Sequence, residues 1–454
     1  MKLQSVQALR GLAALLVVLY HIRALEQLST QTNGLEETTW VSRAFSNGYV
    51  GVDLFFVISG FIMVFVTQEA RSGLRTAGDF LFARATRIYP VWWVFAGLMA
   101  IYFTAAYGLN GGTEGWQAVS RSQPPLDYVV KSFLLLPQPE FPILGVGWTL
   151  VHEVYFYAVF ALFLLLPRRF LPFLLAAWGA MIVAGTGLGF AVPFAGTLRD
   201  LVFYPMTMEF IMGAFAGLAV VSGRIWRPGI VALVAALWFV AALCYQGVET
   251  EETLKWGRVL WFGPPSALLI YALAGLDLRR RLAWLVPATI GAIITCGIYL
   301  LAGLSDFSPD IARQDAVVLA VIVGALSMLA VLWIGWLMGQ SMPAVLLATQ
   351  PFFRMLMGWA VRLGDWSFSL YLSHIIVLTA LRRTFETLGA QETLAPYFRL
   401  GMPGPVDNLL FLSAGLILSL PAAWLAYRFI EKPWIILFGE LRQSLFRRRE
   451  RLAA

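Results

Sequence analysis

The segment VQALRGLAALLVVLYHI, residues 6–22, decides how the rest of the chain is interpreted. Its apolar run is of the length that a helix needs to cross a bilayer, about 20 residues. It contains Arg10 and lacks a small-residue cleavage site, so we interpret it as a first membrane span rather than a cleavable signal peptide.

Apolar segments of similar length recur along the 454 residues. Hydrophobic residues make up 59% of the chain and charged residues 13%, against roughly 45–50% and 25% in a soluble domain. We predict twelve spans, near 5–24, 48–67, 88–107, 146–166, 171–190, 201–221, 228–246, 259–276, 283–303, 316–339, 366–385 and 408–428. The expected fold class is therefore all-α, a polytopic transmembrane helical bundle.

Positive charge predicts the orientation of these spans. With the N-terminus inside, the inside segments hold 22 of the 33 Lys and Arg residues and the outside segments hold 11. Cytoplasmic segments carry such an excess, so we expect both termini in the cytoplasm. The net charge of +7 then serves orientation and contact with membrane lipids by the basic tail, rather than binding of nucleic acid.

Several kinds of site are not indicated by the sequence. Cys244 and Cys296 both lie in apolar runs, which predicts neither a disulfide framework nor a thiolate metal site. We find no Gly-rich phosphate loop, metal-ligand cluster or nucleophile elbow. Chemistry would then depend on histidine and carboxylates, with no permanently bound cofactor. The oligomeric state, including a homo-oligomer, stays open.

Ionisable residues inside spans are costly and usually face the protein interior. Arg10 and His21 are eleven residues apart, which places them on one face of the first span about 16 Å apart. Asp53 lies near the outer start of the second span and is expected near His21, because consecutive spans are usually adjacent. The alternative for Arg10 and His21 is that they are two snorkelling or helix-bonding residues. The alternative for His21 and Asp53 is a structural polar pair.

Four further residues are candidates. Arg84 and Arg87 are three apart, so on a helix they share one face that suits a phosphate-bearing ligand. Ordinary positive charge at a span's cytoplasmic start is the alternative. Glu153 is either functional or a counter-ion for an arginine, and His374 is either functional or a packing residue.

Taken together, these segments resemble membrane acyltransferase family 3, in its exopolysaccharide branch. The matching pieces, in the family's order, are Leu9-Arg-Gly-Leu-Ala-Ala with His21, Gly51-Val-Asp-Leu-Phe-Phe-Val-Ile-Ser-Gly-Phe61, Arg84-Ala-Thr-Arg-Ile-Tyr-Pro90, Trp148-Thr-Leu with Glu153, Leu363-Gly-Asp-Trp-Ser-Phe-Ser-Leu-Tyr-Leu-Ser-His374 and Ile430-Glu-Lys-Pro433. Each matching piece alone is weak evidence for the family, whereas six pieces in the family's order are strong evidence for it.

The resemblance implies a bacterial inner-membrane acyltransferase, which transfers acyl groups other than aminoacyl groups. Acyl-CoA, with acetyl-CoA as the simplest case, would be the co-substrate, and a polysaccharide sugar or lipid-linked oligosaccharide the acceptor. The implied catalytic residues are His21 as base, Asp53 as its partner and Glu153. The implied substrate-binding residues are Arg10, Arg84, Arg87, Tyr89, Trp148 and His374, with the roles of Glu153 and His374 left open.

The family core has ten spans, and this sequence departs from it by an inserted segment. We expect a first core part at 1–277, an inserted transmembrane hairpin and loop at 278–362, the last two core spans at 363–433 and a basic cytoplasmic tail at 434–454. A transporter or flippase for a lipid-linked sugar would also place charges within many spans. An inactive scaffold for polysaccharide assembly is the second alternative.

Overall fold

A computed structural model describes residues 3–34, 47–108, 120, 122–190, 196–244, 256–279, 343–401 and 405–447. Helices make up its regular structure, with no β-strand in those ranges, which confirms the predicted fold class. Seven helices there are long and apolar enough to cross a membrane, and two shorter helices are also apolar. The chain is a multi-pass membrane protein.

The helices in chain order are α1 (Gln4–Thr32), α2 (Val50–Val66), α3 (Leu74–Tyr107), α4 (Pro125–Leu134), α5 (Gly147–Phe163), α6 (Leu171–Gly187), α7 (Leu198–Val202), α8 (Thr207–Val221), α9 (Pro228–Cys244), α10 (Trp256–Leu278), α11 (Pro343–Asp365), α12 (Ser367–Gly389), α13 (Ala395–Phe398), α14 (Pro405–Ala426) and α15 (Lys432–Arg442). Ten of the twelve predicted spans correspond to one of these helices. The spans predicted at 283–303 and 316–339 lie outside the described residues.

The predicted boundary between residues 362 and 363 falls inside α11, which continues without a break to Asp365. This helix was not predicted because it carries Gln350, Arg354 and Arg362 among its apolar residues and is too polar to read as a span. An amphipathic helix of this kind buries one face against a neighbour. Its neighbour is α1, so the end of the predicted insertion packs directly on the first helix of the core.

Helix α1 contacts α2, α10, α11, α12 and α14. Its first turn is tied to α10, because the backbone N–H and the hydroxyl of Ser5 both donate to the Asp277 carboxylate at 3.0 Å. The first turn of a helix has unpaired N–H groups and favours negative charge, so this carboxylate stabilises the start of α1.

Glycines allow two pairs of helices to approach backbone to backbone. A Cβ atom on Gly60 of α2 would lie 1.9 Å from the Phe210 carbonyl oxygen of α8, and one on Gly213 of α8 would lie 1.9 Å from that of Val57. Similarly, a Cβ on Gly11 of α1 would lie 2.8 Å from the amide nitrogen of Gly364 on α11. Small residues at such crossings are how membrane helices gain close van der Waals contact.

The long helix α3 is fixed to the short helix α4 by aromatic side chains. The Tyr89 hydroxyl donates to the Leu134 carbonyl at 3.0 Å, and the indole N–H groups of Trp92 and Trp93 donate to the carbonyls of Ser132 and Phe133 at 3.1 and 3.0 Å. These carbonyls belong to the last turn of α4, where carbonyl groups have few partners in their own helix. Tyr89 therefore supports the fold.

We expect Gly60→Ala to destabilise the protein by about 1–3 kcal/mol, since the added methyl group meets a backbone oxygen that no side-chain rotation can move. The matched control is Gly97→Ala on α3, where the added Cβ would have nothing within 4 Å. That change should be neutral or stabilising by up to about 1 kcal/mol. Thermal unfolding in detergent compares them, and equal midpoints would contradict the packing described.

Candidate active site

A cleft lies among α1, α2, α3, α5 and α12. Its polar lining residues are Arg10, Ser59, Arg84, Arg87, Thr149, Glu153, Tyr157 and Tyr371, and its apolar lining residues are Val52, Phe55, Phe56, Ile58, Ile62, Met63, Ile88, Leu150 and Phe368. A mostly apolar cavity with a few converging polar groups is typical of a small-molecule site.

Three arginines converge on this cleft. Arg84 and Arg87 lie three residues apart on α3, as the sequence predicts, and Arg10 reaches the same space from α1. The Arg84 guanidinium lies 5.9 Å from the centroids of both the Phe80 and Tyr157 rings. Aromatic faces attract a cation, so the two rings hold this guanidinium in the cleft.

Arg10 is held by a chain of hydrogen bonds that begins on α11. Its Nη1 donates to Gln7 Oε1 at 3.1 Å, and Gln7 Nε2 donates to Asp365 Oδ1 at 2.7 Å. An arginine that is fixed in this way loses little side-chain entropy when it binds a ligand. The contact between α1 and α11 therefore orients a cleft residue directly.

Two carboxylates face the arginines. Glu153 Oε1 accepts hydrogen bonds from Ser59 Oγ at 2.6 Å and from the Tyr157 hydroxyl, and the carboxylate interacts electrostatically with Arg10 and Arg84. Glu431 accepts from Ser369 Oγ at 2.6 Å and interacts with Arg87 and Arg10. Three guanidinium groups against two carboxylates leave at least one positive charge in excess, which suits an anionic ligand.

Glu431 was not among the residues predicted for the site. Its segment Ile430-Glu-Lys-Pro433 was recognised as a motif of the core part 363–433, but the residue follows the predicted last span at 408–428 and was given no role of its own. In the structure Glu431 is 1% exposed and lies in a π-helical turn after α14. The motif was the signal that could have identified it.

Three predicted substrate-binding residues, Tyr89, Trp148 and His374, lie outside the lining of the cleft. Tyr89 bonds to α4, as described above. Trp148 packs edge-on against Phe56 and against His152, with ring centroids 6.3 and 5.6 Å apart. The structure gives both Tyr89 and Trp148 an aromatic packing environment beside the cleft, so their binding role stays a prediction.

One wall of the cleft leads to the two candidate histidines. The Tyr371 hydroxyl lies 2.7 Å from Thr149 Oγ1, and the Tyr371 ring is 6.2 Å from that of His374. His374 Nε2 lies 3.3 Å from His21 Nδ1, which brings α12 and α1 together at this point. His374 is fully buried, whereas His21 is partly exposed.

Asp53 does not bond to His21, which corrects the expected pairing. Its carboxylate accepts from Arg258, with Nε at 3.3 Å from Oδ1 and Nη2 at 2.5 Å from Oδ2. The hydrogen bonds that the structure gives His21 go to Val17 and His374. Adjacent helices set the depth of Asp53 but not its rotation, and its side chain points toward α10.

Arg258 was missed by sequence reasoning because it lies just before the predicted eighth span and was counted as an outside charge. Helix α10 begins at Trp256, so Arg258 is inside the helix and only 6% exposed. Its guanidinium also lies 4.6 Å from the Tyr49 ring centroid and interacts with the buried Glu209. This cluster fixes α2, α8 and α10 relative to one another.

Comparison with known proteins identifies the class. The family profile described as "Acyltransferase domain", of acyltransferase family 3, matches residues 3–337. This chain therefore belongs to the membrane acyltransferase 3 family, as its motifs indicated. The family match extends into the segment predicted as an insertion and ends before the motifs at 363–374 and 430–433.

Three relatives illustrate the family. The chain is 31% identical over 242 residues to the exopolysaccharide production protein ExoZ of Rhizobium meliloti, covering 51% of this chain and 68% of the relative. It is 30% identical over 304 residues to the acyltransferase MdmB of Streptomyces mycarofaciens, covering 61% and 72%. Protein 2 in the picA locus of Rhizobium radiobacter is 29% identical over 163 residues, covering 34% and 78%. No solved structure matches the chain significantly.

We expect Asp53→Asn and Arg258→Gln each to destabilise the protein by about 3–5 kcal/mol, because each leaves a buried charge without its partner. The double variant should lose less than the sum of the two single changes. Asp79→Asn is the control, since its pair with Arg442 is partly exposed and worth about 1 kcal/mol or less. Unfolding midpoints in detergent provide the measurement, and strictly additive losses would contradict a direct ion pair.

Proposed function

We propose that this protein is a membrane-embedded O-acyltransferase. It moves an acyl group, with acetyl as the simplest case, from cytoplasmic acyl-CoA to a hydroxyl of a cell-surface or exopolysaccharide sugar or of its lipid-linked precursor. The protein lies in the bacterial inner membrane with both termini in the cytoplasm. Family membership and the relative named for exopolysaccharide production support this proposal.

The observation that carries the proposal is the alignment of the arginine cleft with the histidine pair. Arg10 and His21 lie on one helix, about 16 Å apart along its axis. Arg84 and Arg87 join Arg10 at the end toward the N-terminus of α1, and Tyr371 connects the cleft to His374. A phosphate-bearing group at the arginines would therefore direct an attached arm toward His21.

Acyl-CoA has the chemistry that such a cleft would recognise. Its phosphates would bind the excess positive charge of the arginines, since guanidinium forms bidentate hydrogen bonds with phosphate. Its pantetheine arm would lie along the apolar wall formed by residues such as Phe56 and Leu150. The nucleotide would stay at the cytoplasmic end while the thioester is presented near His21.

The transfer needs one base and no covalent enzyme intermediate. His21 removes the proton from the sugar hydroxyl while the hydroxyl oxygen attacks the thioester carbonyl carbon. The carbon–sulfur bond then breaks, and the CoA sulfur takes a proton from the imidazolium of His21. The products are the sugar ester and CoA–SH, so atoms and charge balance.

Glu153 has a clearer role in positioning than in chemistry. Ser59 and Tyr157 hold its carboxylate, and it faces Arg10 and Arg84. A carboxylate there keeps the guanidinium groups ordered when no donor is bound. We therefore assign Glu153 to the donor-binding end, with His21 as the base.

His21→Ala tests the reaction with purified protein, acyl-CoA and a lipid-linked or polysaccharide acceptor. Loss of a general base should lower the rate of acyl transfer by about 10²- to 10⁴-fold, while binding of acyl-CoA is retained. Free CoA and acylated sugar are the products to be measured. Near-normal turnover of this variant would contradict the assignment, and failure of the wild-type protein to consume acyl-CoA would favour a transporter or scaffold.

Arg84→Ala and Arg87→Ala should raise the KM for acyl-CoA more than they lower kcat, because they lie at the donor-binding end of the cleft, away from the base. Each lost charge-assisted hydrogen bond corresponds to roughly a 10- to 150-fold rise. Arg224→Ala, which removes an exposed arginine of the loop between α8 and α9, should leave KM unchanged. A normal KM in both cleft variants would exclude the role given to them.

A further inference from the structure

One ring nitrogen of His21, Nδ1, makes two hydrogen-bond contacts. Nδ1 lies 2.9 Å from the Val17 carbonyl oxygen and 3.3 Å from Nε2 of His374. The other nitrogen of the His374 ring, Nδ1, lies 3.0 Å from the Leu370 carbonyl oxygen. These three contacts determine where the protons are.

A neutral imidazole has one N–H donor and one lone pair. A carbonyl oxygen only accepts, so the proton of His374 lies on Nδ1 and is donated to Leu370. His374 Nε2 then presents a lone pair to His21. His21 Nδ1 faces two acceptors, and therefore this nitrogen carries the proton of His21 and Nε2 carries the lone pair.

We propose that His374 is a positioning residue that holds His21 in the Nδ1–H form and so makes Nε2 the base of the reaction. This inference rests on the proposed acyl transfer. In that reaction Nε2 of His21 takes the proton of the sugar hydroxyl, and the resulting imidazolium donates its Nδ1–H to Val17 and to the lone pair of His374. His374 acts where a carboxylate acts in other base–histidine pairs.

The Val17 carbonyl lies on the same helix as His21 and accepts two hydrogen bonds. It lies four residues before His21 on α1, so it is also the acceptor for the backbone N–H of His21 in the helix ladder. His374 comes from α12 and is fully buried, and its ring is fixed by Leu370. It therefore restricts the rotation of the His21 ring as well as its tautomer.

A neutral acceptor also suits this depth in the protein. The position sits within two apolar helices, where an added carboxylate would need a partner of its own. Asp53, the carboxylate that could have taken this role, is already bonded to Arg258. Among the described residues, Nε2 of His21 has no hydrogen-bond partner, so it is free to meet an acceptor hydroxyl.

The kinetic test compares three substitutions of one residue. His374→Gln places an amide oxygen near the position of Nε2, whereas His374→Asn places its amide near Nδ1, and His374→Ala removes both. We expect Ala and Asn to lower kcat roughly 10- to 100-fold with an unchanged KM for acyl-CoA, and Gln to restore most of the rate. Equal rescue by Asn and Gln, or a loss confined to KM, would overturn the proposal.

A measurement without turnover separates this inference from the proposed function. The chain has three histidines, so ¹⁵N-histidine labelling gives few imidazole signals, and His152→Gln assigns one of them. The ¹⁵N shifts should show His21 as the Nδ1–H tautomer, with a mixture in His374→Ala. An Nε2–H form in the wild type would overturn the inference even if acyl transfer is observed, whereas wild-type protein that shows the Nδ1–H form without acyl transfer would overturn only the proposed function.

Discussion

Arg10 and His21 are fixed on one rigid helix, and this constraint sets the geometry of the whole site. The distance between Arg10 in the cleft and His21, the proposed base, follows from the rise of α1, not from loops or mobile side chains. What the rest of the bundle must do is hold α1 at one depth and one rotation. The Ser5–Asp277 hydrogen bonds fix its start, and the Gly11–Gly364 contact fixes its rotation.

Buried charge explains much of the remaining architecture. Charged groups within a bilayer are expensive unless they are paired or reach water. One group of charges, with Asp53, Glu209 and Arg258, is enclosed and fixes helices to each other. The other group lines an open cleft and keeps positive charge in excess. Charged residues of the same types therefore stabilise the fold in the enclosed cluster and give the cleft its excess positive charge.

The sequence predicted the helices well because hydrophobic length is a strong signal in a membrane protein. It also predicted the shared face of Arg84 and Arg87, because residues three apart on an α-helix lie on the same side of it. It could not predict the partner of Asp53, because which way a side chain turns depends on the packing of α2 against α10. Arg258 and Glu431 were missed for a related reason: each lies just outside the predicted bounds of its span, and such bounds are uncertain by a few residues.

The contact between α2 and α8 has a consequence for how this protein can evolve. The groups that exclude a methyl group at Gly60 and Gly213 are main-chain carbonyl oxygens. A substitution elsewhere can shrink a side chain, but none can remove a carbonyl. No single side-chain substitution elsewhere in this chain would therefore make room for a methyl group at either glycine.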